Sequence, residues 1–548
     1  MITLPVYTAN LRSTLEKNKT NLSNTHKLKQ MKKTVLLMLC SIVFMCSTKA
    51  QSKVFKEVGE GISTQFKTIV QDNALVGYLV FTELEKASED SFNYRINIMD
   101  ENLNDIGTVN FREEKLLLGD VAFDQDVLCL AYFKSNTLGK EFKNLKAYNK
   151  AGLVDSNYVF TQFLNLDGKI IKTNSIPVDI KNGTYTSDKT RITGGLKKGI
   201  QLTNVPDKGF VCFYGENSKN DLVTFNASGN QVWKKQLDDA DNFFVLASKE
   251  DIYVLAKHKD SDNPLGGWDL RGYGFSDSAV YDKYSLQDQQ GNSLTVSGFG
   301  NDPITGHPYL SGQIINEERR QKFGRAKDIW RGLYSGVYTL NVNGHKKNDI
   351  TSVYSYWSDG SQSDVFTIKG RFVENKAYGN YYQSFRDYQG NTYFTGTKLI
   401  KHIKWGAVTC AVIFSPFIYP PILIFSGGGS TSARATDAIL VKQSPKGSLS
   451  LETSVTSNED RKGPAKYSII DSKKFYTVTN SAIKTNYLIV DDQKNINIYN
   501  VAQQKIVRTI PHKDGKLRVN IYPAKEGSIM VSEYDAKEKY TRYSIEAL

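Results

Sequence analysis

One unit recurs along this chain: an apolar run, a connection of variable length, a second alternating run, a tight turn of Asn, Asp and Gly, and a third run. Apolar residues within the runs repeat with period two instead of 3.6, which is strand grammar. The clearest copy is Phe210–Gly215, Leu222–Phe225, the turn Asn226-Ala227-Ser228-Gly229, and Gln231–Gln236. Tyr78–Phe81 leads in the same way to Tyr94–Ile98 and Gly107, and Val127–Tyr132 to Leu145–Tyr148 and Gly152. Ile252–Ala256 leads to Val280–Leu286 and Gly291, Val337–Val342 precedes Gly344, and Tyr393–Gly396 leads to Ile439–Val441 and Gly447. Phe475–Thr479 with Tyr487–Val490 makes a late copy, and Tyr158 to Ile171 reads as a hairpin turning at Asp167-Gly168.

Antiparallel units that recur every 45 to 60 residues or so, each unable to bury its faces alone, imply a radial array of small sheets. The pattern resembles a β-propeller, and the expected fold is all-β with about seven blades. A β-sandwich pair or another all-β repeat would alternate in a similar way. Within the clearest copy, Gly229-Asn230-Gln231-Val232-Trp233 resembles the Gly-x-x-x-Trp turn of quinoprotein-type blades. That likeness bears on architecture and implies no cofactor. The last apolar stretches, Ser528–Tyr534 and Thr541–Ile545, are placed to complete a blade begun near Val54, which would remove the exposed edges of a linear stack.

The N-terminal region points to export. Met31-Lys32-Lys33 precedes an apolar run from Thr34 to Met45 and a small-x-small signal, Thr48-Lys49-Ala50, before Gln51. Residues 31–50 therefore read as a signal peptide, 1–30 as a non-native or extended leader, and 51–548 as a single repeat domain. The short basic start and the Ala-Gln junction are similar to those of exported bacterial proteins, which implies a periplasmic, outer-membrane-associated or extracellular location. Met45 before Cys46 argues against acylation there. Loss of residues 1–50 removes eight Lys and Arg and one Glu, lowering the formal net charge from +13 to +6. That is a mild bias and gives no case for nucleic acid. Of the remaining cysteines, Cys129 and Cys212 sit in apolar runs, where a buried thiol is the common outcome.

The connection between the first two runs of the unit varies most. Two copies are expanded, at residues 257–276 and 397–436. Equivalent connections in antiparallel sheets emerge at one end, so the two insertions should share a face, and loops on a rigid scaffold are where binding surfaces are built. The second insertion holds 21 residues without charge, Trp405 to Phe425, long enough as a helix to approach a bilayer core of about 30 Å. A transmembrane span is not expected. It would put Tyr393–Gly396 and its partner Asp437–Gln443 on opposite sides of the bilayer, and Pro416, Pro420 and Pro421 would each cost about 3 kcal/mol inside a helix. Such a run either packs on its own scaffold or touches a lipid surface, an envelope protein or a polysaccharide.

Candidate contact residues are Trp268, Trp405, Phe414, Phe417, Tyr419 and Phe425 in the insertions. To these are added Arg319 and Arg320, in a helical reading of Ile314 to Gly332 whose basic side chains suit an anionic sugar or headgroup or simply a solvated face. Tyr381 and Tyr382, in the cluster Tyr378, Tyr381, Tyr382, Phe385 and Tyr388 with Asn380 and Gln383, have a composition used for stacking on sugars and also for building β cores. The histidines lack zinc-ligand spacing. Asp100, Asn102 and Asn104 alternate like a calcium loop, but Asp105 stands where Gly is needed, so turn chemistry is expected. No nucleophile elbow or phosphate loop is present, and no cofactor or metal is expected. The expected function is an exported binding or scaffold protein of the bacterial cell envelope. An enzyme acting on extracellular glycans through paired carboxylates is the alternative.

Overall fold

The computed structural model describes residues 51–548 apart from 57–62, 153–156, 179–183, 186–191, 194–198, 259–265, 319–332, 404–430, 457–465, 470–478, 481–484, 492–494 and a few shorter stretches in other turns. Eight antiparallel sheets of four main strands follow one another along the chain. The first blade is Ser63–Gln71, Ala74–Lys86, Phe92–Asp100 and Asp105–Glu113, and the others repeat that order. The outermost strand of the last blade comes from the other end of the chain: Gln51–Lys56 pairs with Tyr540–Ala547, next to Ser528–Asp535 and Leu517–Pro523. The seven repeat copies and this closing sheet, which begins near Val54, are distinct blades. The count is therefore eight where about seven were expected.

Burial shows why the strands alternate. Phe210, Cys212 and Tyr214 enter the core shared with the preceding blade, while Val211 and Phe213 enter the core shared with the following one. The same division holds for Ile252, Val254 and Ala256 against Tyr253 and Leu255. Each apolar cluster bridges two consecutive blades, and the last joins Met530 and Ile545 of the eighth blade to Tyr78, Val80 and Met99 of the first. The sheets thus form a closed ring, a β-propeller. Cys129 and Cys212 are free and fully buried in one of these cores, and burial holds both thiols well above their ordinary pKa.

The first strands lie on the inside of the ring, where side chains stitch each to its neighbour. Lys67 donates to the Gly119 carbonyl at 2.9 Å, the Leu202 amide to Asp120 at 3.1 Å, and Gln201 Nε2 to the Phe243 carbonyl at 3.0 Å. Asn301 donates to the Ala247 carbonyl at 2.9 Å. Fourth strands such as Ile170–Pro177 and Gln231–Gln236 alternate exposed and half-buried residues, as an outer edge requires.

Three local expectations are corrected. Leu145–Tyr148 belongs to a helix, Leu145–Gly152, whose Ala147 amide is capped by the Asn144 side chain at 2.9 Å. Ile314 and Ile315 end a strand, Pro308–Ile315, in which every residue is buried, so the expected helix does not begin at Ile314; Glu317 and Glu318 are helical, and residues 319–332 of that helix lie outside the described residues. Within 257–276, Trp268 opens the strand Trp268–Gly274. The connection there is 259–267, and the larger one is 404–430, between Thr392–Ile403 and Thr431–Gln443.

Candidate binding cleft between blades 5 and 6

In every blade the chain reverses at each turn, so connections between second and third strands emerge at the same end as those leading into the next blade. Blade 2 demonstrates this directly. Glu141–Phe142, from its second-to-third connection, forms a small sheet with Thr184–Tyr185 and Ile192–Thr193, from the connection leading onward. We call this end the connection face. The opposite end carries tight turns such as Asp387–Asn391.

Three second-to-third connections are long, residues 136–156 in blade 2, 316–333 in blade 5 and 404–430 in blade 6, and the last two lie in neighbouring blades. Between their roots is a small cleft lined by Gln313, Tyr334, Trp357, Lys369, Tyr378 and Tyr381. Tyr334 is the first residue after the blade 5 connection, and Tyr378 pairs with Leu399 on the strand that leads into the blade 6 connection. The linker from blade 5 to blade 6 builds the remaining wall. Trp357, Phe366 and Phe372 pack together within it, with ring centroids 4.5 and 4.8 Å apart, and the Trp357 indole donates to the Tyr334 carbonyl at 3.0 Å. From that base projects a turn, Thr367 to Arg371, with Gly370 at φ 71° and Ile368 at its tip, 75% exposed.

Tyr381 reaches the cleft from Tyr378–Arg386, the first strand of blade 6, and is 6% exposed. Its hydroxyl is buried and has no hydrogen-bond partner among the described residues. A Cβ at Gly379 would lie 2.5 Å from that oxygen, so glycine there leaves the hydroxyl its space. Burial raises the pKa of the Tyr381 phenol and pushes that of Tyr334 up to about 12, which keeps both protonated and able to donate at neutral pH. Lys369 is exposed beside them on the turn and makes no ion pair among the described residues. The cavity itself holds about 10 Å³, room for one water-sized group. Among the described residues no carboxylate lines it.

The candidate contact residues fall as follows. Tyr381 lies in the cleft, and Tyr382 follows it on the same strand, its side chain outside the described residues. Tyr378 also lines the cleft, whereas Phe385 is core between blades 6 and 7. Trp268 is at the connection-face end of blade 4, half-buried, with its ring 5.9 Å from that of Phe244 and the Lys257 ammonium 5.7 Å away. Arg319, Arg320, Trp405, Phe414, Phe417, Tyr419 and Phe425 lie outside the described residues. Gln313, Tyr334, Trp357 and Lys369 were not among the sequence candidates. The turn signal Thr367-Ile368-Lys369-Gly370 was their one local sign. Asp100, Asn102 and Asn104 do make a turn: Asp100 accepts from the Asn102 and Asn104 amides and the Asn104 side chain, each at 2.8 Å.

Among the described residues no helix is long and apolar enough to cross a membrane. Trp233, of the quinoprotein-like turn, packs against the core between blades 3 and 4 and donates to the Phe275 carbonyl at 2.6 Å. Solved propellers align with the chain at low likeness. The C-terminal WD40 domain of Sif2 is 9% identical with a TM-score of 0.39, over 88% of this chain and 98% of that one. The β-propeller domain of the trilobed protease from Pyrococcus furiosus is 9% identical with a TM-score of 0.33, over 90% and 96%. At these values they carry no argument, and the architecture rests on the sheet topology. No curated protein matches the chain. Residues 31–259 match the model of a family of unknown function, DUF6770.

Proposed function

We propose that this is an exported binding or scaffold protein of the cell envelope, whose ligand or partner is held on the connection face of blades 4 to 6. The observation that carries the reading is the cleft at Tyr381, a buried donor without a partner among the described residues, set beside the long connections of the neighbouring blades 5 and 6. Exposed apolar side chains beside it, Ile368, Val373 and Ile400, add to the case, since grouped apolar exposure marks contact surfaces. The family match begins at Met31, the start that the signal-peptide reading requires. The glycan-hydrolase alternative needs two facing carboxylates at the centre of the ring, a place apart from this cleft.

The test is deletion of residues 405–425. The variant should remain folded and soluble but lose its association with the envelope fraction. Unchanged fractionation would remove the apolar connection from the contact.

A further inference from the structure

We infer that the outer wall of blades 7, 8, 1, 2 and 3 docks an extended acidic polypeptide segment of a partner protein. This surface lies apart from the connection face and does not depend on it. The outermost strands of blades 7, 1, 2 and 3 are Lys505–Pro511, Asp105–Glu113, Ile170–Pro177 and Gln231–Gln236. Each has a bulge near its turn, and the residue left out of register is Val507, Ile106, Ile171 or Val232, all 38–46% exposed. A bulge re-aims one side chain, and four times here it turns an aliphatic one to solvent. Such a bulge does not require that: the one in the outermost strand of blade 6, Leu449–Thr456, holds Glu452, which pairs with Lys442 at 3.0 Å. Val54, 50% exposed on the outermost strand of blade 8, continues the row. Among the described residues the outermost strands of blades 4 to 6 expose no large apolar side chain.

Charge and curvature select the partner. The five outermost strands of this arc carry eight Lys and Arg against two acidic residues, Asp105 and Glu113, so the complement is acidic. Neighbouring edges are joined: Lys53 of blade 8 pairs with Asp105 of blade 1, and Lys172 of blade 2 donates to Asn230 of blade 3 at 2.6 Å. Each edge is turned an eighth of a circle from the next. A flat lipid surface therefore meets few of them, whereas an extended chain can follow the arc. A second copy of this protein would set lysines against lysines across a two-fold interface.

The experiment is fluorescence anisotropy on the full chain with a labelled peptide of about twenty residues, glutamate and serine with leucine at every third position. Two control peptides replace its leucines by serine or its glutamates by lysine. The acidic leucine peptide should bind at least tenfold more tightly than either control. Ile171→Ser and Val232→Ser should each weaken it about fivefold without lowering the melting temperature, and Ile368→Ser, on the connection face, should leave it unchanged. Absence of binding, equal binding of either control, parent-like binding by both wall variants, or loss of binding in Ile368→Ser would overturn the proposal. So would co-sedimentation with phosphatidylglycerol vesicles that Ile171→Ser abolishes, which assigns the wall to lipid. A dimer that the same substitution dissociates would also overturn it, by assigning the wall to a second copy.

Discussion

Gly229 and Gly291 occupy the same position in two copies of the five-residue turn, with φ of 75° and 82°, where any other residue strains the backbone. Their surroundings differ. A Cβ at Gly291 would meet nothing within 4 Å, whereas one at Gly229 would lie 2.7 Å from a ring carbon of Phe163. Gly291→Ala should therefore cost only the backbone conformation, about 1–2 kcal/mol, and Gly229→Ala a further 1–3 kcal/mol or so of overpacking. Urea unfolding of the two variants checks the order, and equal losses would contradict it. In the first blade the equivalent residue is Leu103, at φ 65°, whose side chain packs in the core that closes the ring. Asp100, which opens that turn, shows a pH effect. Burial raises its carboxyl, but the bonds from Asn104 and Asn102 and the nearby Lys525 hold it below the ordinary value of 3.8. A depressed folded pKa stabilises the protein above that value and ceases to do so as pH falls through the folded pKa. Asp100→Ala should cost about 1 kcal/mol at neutral pH, and the gap to the parent should close below about pH 3.8. A gap that persists at pH 2 would assign the loss to packing instead.

The turn of Asp100 is repeated with the same hydrogen bonds at Asp288–Asn292 and Asp387–Asn391, where the aspartate takes the amides two and four residues on and the asparagine side chain. This repetition made the turns legible in sequence, and the central strands were legible because alternate residues feed two different cores. Where that division fails, reading fails. Pro308–Ile315 is buried throughout and includes Ser311 and Gly312, so it shows no alternation, and the apolar pair at its end passed for a helix start. Leu145–Gly152 has a helix signal in Asn144, but Leu145 and Tyr148 also suit a strand. The cleft was legible through Tyr378 and Tyr381 of the aromatic cluster. Its other walls, at 313, 334, 357 and 369, come from two strands of blade 5 and the linker to blade 6, and their meeting is decided by how blades 5 and 6 pack, which spacing along the chain does not report.

At the scale of the molecule, ring closure depends on Gln51–Lys56, which covers the edge of Tyr540–Ala547 and brings Phe55 onto Tyr543, ring centroids 5.7 Å apart. Removing residues 51–56 should lower the unfolding midpoint and raise amide exchange in 540–547 while leaving 210–214 of blade 3 protected; uniform loss of protection would show that the blades do not close independently. A closed ring has two ends, and the account assigns contact to one of them. Ile368, 75% exposed, stands on the connection face, and Ile304, 57% exposed, on a turn of the opposite end. The direct measurement is photocrosslinking in cells that make the protein, with benzoylphenylalanine at one position or the other. Adducts should form from position 368 and not from 304, whereas adducts from 304 alone, or from both alike, would contradict a single working face.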